Sequence, residues 1–183
     1  MEGHVNQAFA RYITSSPYGF SKQGLENKLK LIREYIGKNK ENTAKVFTSI
    51  INDGLEGQFE AYYKKGKKGN YSLQLKATEN GGDLSKMSAE AQAFYGNLVS
   101  MIEDHNTTAV IDIVYGSSDV HVGNYIKNKI DIADVNQFDD MGKGEATKQG
   151  KLIHELVEQF GKAKAGYKKF DDEGGDYNHR RAI

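Results

Sequence analysis

The 183-residue chain contains no cysteine. That excludes disulfide scaffolds, cysteine zinc ribbons, iron–sulfur clusters, thiol proteases and Cys-ligated deaminases. Any transition-metal site must be built from His, Asp and Glu. Proline is nearly missing, with Pro17 alone, so the 20 glycines supply most of the punctuation. No stretch approaches the roughly 18 apolar residues of a membrane span. Met1 to Gln7 shows no basic region followed by an apolar run, so no secretory signal is expected. Neither sign of charge is in excess: Lys+Arg and Asp+Glu each number 25. A general nucleic-acid binder would carry a basic surplus, so that class is disfavoured.

What is present suits a globular domain long enough to bury a core, with 38% hydrophobic and 27% charged residues. Leu25, Leu29, Ile32 and Ile36 recur at helical spacing before Gly37, which predicts a first helix. A second is expected from about Asn42 to Asn52. Gln58 to Tyr63 and the alternating Tyr71 to Ala77 read as a hairpin about a lysine-rich tip. Ser88 is a good N-cap for a helix carrying Phe94, Leu98, Met101 and Ile102. The β-branched run Thr108 to Tyr115 predicts a strand, and Val120 to Tyr125 and Ile130 to Val135 predict two shorter ones. A long final helix is expected from about Glu145 to Lys164, closed by Gly166. The order predicts an α+β fold.

The final helix carries the one constellation with chemistry in it, Leu152-Ile153-His154-Glu155-Leu156-Val157-Glu158-Gln159-Phe160. His154 and Glu158, four residues apart, share a helical face, so an imidazole and a carboxylate can converge on one point. This is the H-E-x-x-H zinc-protease arrangement with its second histidine replaced by glutamate. Two histidines and one glutamate are a known ligand set for catalytic zinc. His179 is the one histidine downstream, 179 − 154 = 25 residues on. His154, Glu158 and His179 are therefore the candidate Zn²⁺ ligands, with Glu155 as general base towards the attacking water. Tyr177 is a candidate hydrogen-bond donor to the developing oxyanion. The plainer alternative is an acidic, solvated helix face with Glu155 in water.

Residues Gln58 to Ile183 resemble the zincin-like metallopeptidase domains found as C-terminal toxin modules of Rhs-type and related polymorphic toxins, especially in Bacteroidetes. The residues that carry the resemblance are His154 to Phe160, the upstream Ile130-Asp131-Ile132, and the closing Tyr177-Asn178-His179-Arg180-Arg181-Ala182-Ile183. It implies a zincin-like core, with a small, mostly edge-exposed sheet, a backing helix and an active-site helix; the expected N-terminal helices, Met1 to about Leu55, are not covered by it. An edge strand at Lys129 to Val135 would lie over the cleft and pair with an extended substrate. The implied division is a helical segment at 1–56, part of the same domain or its lead-in, and a metallopeptidase domain at 57–183. The resemblance implies an effector delivered into rival cells, acting on a protein or peptide substrate and neutralised by a cognate immunity protein. The sequence itself leaves open a cytoplasmic protein, a fragment of a longer one, or a cargo domain exported by a specialised secretion system; a monomer is expected, with no nucleic-acid or membrane partner.

Two other classes remain open: a binding module on a degenerate zincin fold, and a His/Glu metal-dependent nuclease. His4, His105 and His121 have no ligand partner at useful spacing, and His121, between Val120 and Val122, is expected in solvent. Asp131 and Asp134 read as exposed charges that protect a sheet edge. No phosphate-binding glycine loop and no Gly-x-Ser-x-Gly elbow occurs.

Overall fold

Turn chemistry and apolar periodicity set the frame. A computed structural model describes residues 29–34, 40–65, 71–144 and 146–166. The turn at Pro17, the hairpin tip at 66–70, His4, Tyr177, His179 and the rest of the tail lie outside the described residues. The elements are strand β1 (Leu29–Glu34), helix α1 (Lys40–Gly54), strands β2 (Phe59–Lys65) and β3 (Tyr71–Ala77), and a short 3-10 turn at Leu84–Lys86. Helix α2 (Ala89–Ile102), strands β4 (Ile111–Val114), β5 (Gly123–Asn124) and β6 (Lys129–Asp131), and helices α3 (Ile132–Val135) and α4 (Lys148–Lys164) follow. The fold is α+β.

The strands form one six-stranded sheet in the order β2-β3-β1-β4-β6-β5. β2 and β3 are antiparallel from Phe59↔Ala77 to Lys65↔Tyr71, the expected hairpin. β1 pairs antiparallel with β3 and parallel with β4. β4 pairs parallel with β6, and β6 antiparallel with β5. The apolar side chains of α1 (Phe47, Ile50, Ile51), α2 (Phe94, Leu98, Met101) and α4 (Leu152, Leu156) share one core with Phe59, Leu73, Leu75, Ile111, Ile113 and Ile130 of the sheet. Burying a side chain of this size contributes about 1.5–3 kcal/mol, so this shared core supplies the main drive for assembly.

The helix starts follow their caps. Ser88 Oγ accepts from Ala91 N at 3.2 Å, as expected of an N-cap, with Glu90 in the first turn. Thr147 Oγ1 accepts from Gly150 N at 3.0 Å, so α4 starts three residues after the expected Glu145. Its stop is where the sequence puts it, with Gly166 at φ +77°.

Two expectations are overturned. Leu29 to Glu34 is not helical: it is a strand between β3 and β4. The helical spacing of its apolar residues gives way to pairing on both sides, the usual override of a local pattern by tertiary context. Among its described residues the N-terminal region therefore supplies a sheet strand and one helix, and residues on both sides of position 56 build the same sheet. The second correction concerns Lys129 to Val135. It is not an edge strand: β6 stops at Asp131 and lies between β4 and β5, and Ile132 to Val135 is helical. Asp131 causes the switch. Its side chain accepts from Ala133 N at 2.9 Å and caps α3. The same carboxylate accepts from Gly116 N at 2.9 Å and from Ser117 N, and it is fully buried. It is an internal tie between the loop after β4 and the start of α3, not an exposed guard of an edge.

Asp131→Ala removes the acceptor of three backbone N–H groups at a position without solvent. We expect a loss of about 3–5 kcal/mol, read as a lower urea midpoint, with Asp131→Asn losing less. An alanine variant within about 1 kcal/mol of the parent would show that the turn does not depend on the carboxylate.

Candidate metal centre

Helix α4 is graded around its axis, and the gradation sorts the site residues. At about 100° per residue, Glu155 lies about 60° from the buried Leu152, Glu158 about 120° and His154 about 160°. Leu152 and Leu156 are 0% and 1% exposed, and Glu155 only 6%. His154 and Glu158 are half-buried. The reading of Glu155 as a solvated helix residue is therefore wrong: its carboxylate sits where the helix meets the sheet.

One donor atom each of His154, Glu155 and Glu158 can be chosen so that all three lie within 4.8 Å of one another. Atoms that bind one zinc ion at roughly 2.0–2.2 Å with tetrahedral angles lie about 3.3–3.6 Å apart, so the three could hold a small cation once their side chains close in on it. An imidazole with two carboxylates is also the right donor chemistry for a chain without thiols. Both His154 and Glu158 take part in further interactions of their own. Tyr177 and His179 lie outside the described residues. His105 and His121 are exposed, which for His121 is the expected placement.

The partner of this helix face is the β5–β6 hairpin. Gly123 of β5 runs directly against Glu155, and a Cβ added there would overlap the carboxylate and its carbon. Only glycine lets a strand backbone approach a side chain this closely. Lys151, one turn earlier on α4, places its ammonium 3.2 Å from Glu155 Oε1. Further along the helix, Gln159 Nε2 donates to Asn124 O at 3.3 Å. Lys162 Nζ donates to Tyr125 O, to Ile126 O at 3.3 Å and to Asn128 Oδ1 at 2.6 Å. Those three acceptors match the three donors of an ammonium group. Burial draws the Lys162 pKa down, and the nearby Glu158 carboxylate opposes it. The ammonium also sits 4.7 Å from the centre of the Tyr125 ring, a cation–π contact that favours the charged form.

Backbone strain marks the same hairpin. Val122 has φ +59°, rare for a β-branched residue, and Asn128 has φ +55°. Val122 is held there from two sides: its N–H donates to Asp134 Oδ2 at 3.0 Å and its carbonyl accepts from Asp131 N at 2.7 Å. Asp134 is thus a backbone clamp and not an edge charge.

Sequence reasoning missed Gly123, Lys151, Gln159 and Lys162. A signal existed for most of them. Lys151, Glu155, Gln159 and Lys162 fall on one flank of a helix that the sequence already predicts. A glycine inside a strand-like run is a standard mark of close backbone approach.

Gly123→Ala should destabilise the protein by about 1–3 kcal/mol through overpacking against Glu155. In a Glu155→Ala background the same change should cost little. A double-mutant cycle by chemical denaturation measures the coupling, and additive effects would show that the two groups are not in contact.

No protein-family model, no curated protein and no solved structure matches the chain.

Proposed function

We propose that the protein is a zinc-dependent metallopeptidase whose site lies on α4. One observation carries the reading: a single helical turn brings a His and two Glu donor atoms within 4.8 Å of one another, with one of the carboxylates buried. His154 and Glu158 would hold the ion on the more open side of the helix, and His179 is the proposed third ligand. When bound, zinc supplies Lewis acidity, polarising a carbonyl and making water a better nucleophile at neutral pH.

The remaining steps belong to the chain. Glu155, fixed between Lys151 and β5, takes a proton from the attacking water and passes it towards the leaving amine. Lys151 and Gly123 restrict the directions in which that carboxylate can turn. The hairpin above it, pinned by Gln159 and Lys162, forms a wall beside the site. Tyr177 is the proposed donor to the oxyanion. The zincin-like core is supported by an antiparallel edge strand, β5, beside a helix carrying His-Glu-x-x-Glu. In this reading β5 would take the substrate-facing place first expected of Lys129 to Val135. An effector role, with export and an immunity protein, rests on the sequence resemblance alone. Among the described residues no helix is long and apolar enough to cross a membrane.

Elemental analysis of tag-free protein should find one zinc per chain. His154→Ala should remove it, Glu158→His should keep it, and His179→Ala should weaken binding without unfolding the protein. Glu155→Gln should retain zinc and lose about 10²–10⁴-fold in casein hydrolysis, the usual contribution of a general base. Full zinc content in His154→Ala would overturn the site, and unchanged turnover in Glu155→Gln would remove Glu155 from the mechanism.

A further inference from the structure

Three donors lie close enough together to share one ion, yet only two are given to the metal in the reading above. By distance alone Glu155 is as eligible as Glu158. A carboxylate that joined the ion would be spent as a ligand and lost as a base. Something must keep the two tasks apart, and the surroundings of Glu155 differ from those of its neighbours in the required way.

The Glu155 carboxylate is paired at one oxygen and sterically confined at the other. Oε1 faces the Lys151 ammonium at 3.2 Å. Oε2 lies against Gly123 of β5. The Glu155 side chain is 7% exposed, whereas that of Lys151 is 32% exposed. The pair is therefore screened by solvent from one side only, where an ion pair keeps more of its strength than on an open surface. Gly123 can be crowded against the carboxylate without chemical preference. Lys151 supplies the charge that makes this orientation favourable when a divalent cation competes for the same oxygen atoms.

We propose that Lys151 is a positioning residue, whose ammonium holds the Glu155 carboxylate against β5 and out of the coordination sphere of an ion carried by His154 and Glu158. The proposal rests on the metallopeptidase reading. It differs from a purely structural role, in which an i,i+4 ion pair would support the helix and leave metal coordination untouched.

The test uses the full chain stripped of metal and titrated with Co²⁺ as the probe, followed by its visible absorption and by competition for affinity. The parent should bind one Co²⁺. Lys151→Met should gain Glu155 as a ligand, with an altered absorption band and tighter binding by about 10–100-fold, the size of change that outer-shell substitutions usually cause, here of opposite sign because the residue holds a ligand back. Lys151→Arg should behave as the parent. The double variant Lys151→Met/Glu155→Gln should return to the spectrum of Glu155→Gln alone. Circular dichroism of each variant checks that the helix is intact. A parent-like spectrum and affinity in Lys151→Met would overturn the role of Lys151 while leaving the metal site standing. So would equal changes in the Met and Arg variants. A parent protein that binds no Co²⁺ would overturn the metal reading and this proposal together.

Discussion

The closeness of the β5 backbone to the Glu155 carboxylate is the constraint on which the rest of the site depends. A carboxylate with 6% exposure is costly unless it is paired, and here Lys151 pairs it. Glycine at 123 is what allows the strand to come so near. The contact also fixes the helix. With Glu155 turned towards the hairpin, His154 and Glu158 fall on the more open side of α4, where a cation and a substrate could both reach them. A helix rotated by one residue, about 100°, would bury His154 or expose Glu155.

The hairpin is held by more than this contact. The Asp131 N–H and the Asp134 carboxylate clamp its base through the backbone of Val122, which is kept in a left-handed conformation that it would not adopt alone. Gln159 and Lys162 tie its far end to the C-terminal half of α4. Lys164 reaches Asp104 at 3.1 Å, linking the end of α4 to the end of α2. The Lys164 ammonium, the Asn106 N–H and the Thr107 side chain hold the Asp104 pKa below its ordinary value, against a smaller opposing effect of burial. The site thus sits between rigid elements, as a constellation of a few side chains must if its geometry is to persist.

How much of this could be read from the sequence follows from the range of the forces involved. Helices α1, α2 and α4, the β2–β3 hairpin and β4 were legible because their signals are local: apolar spacing, a serine cap, a β-branched run, a glycine stop. Strand β1 was not, since its helical spacing yields to partners more than 35 residues away in the chain. Asp131 was misread for the same reason. An aspartate in an alternating stretch looks like a solvent-facing charge until the loop at Gly116 and Ser117 brings its N–H groups to it. His154, Glu155 and Glu158 were legible as a group because helical geometry alone brings them together. What the sequence could not supply was their inequality. Burial of Glu155 is set by Gly123, 32 positions upstream, and only the folded sheet puts the two in contact.

The central claim is that α4 presents two ligands to a metal and withholds a third carboxylate for proton transfer. Anomalous diffraction from a zinc-soaked crystal, recorded on both sides of the zinc absorption edge, tests it most directly. The account predicts one peak at roughly 2.0–2.2 Å from a His154 nitrogen and a Glu158 oxygen, with the Glu155 carboxylate still beside Lys151 and not bonded to the ion. A crystal without a peak on α4, or a peak bound by Glu155 with His154 turned away, would contradict it.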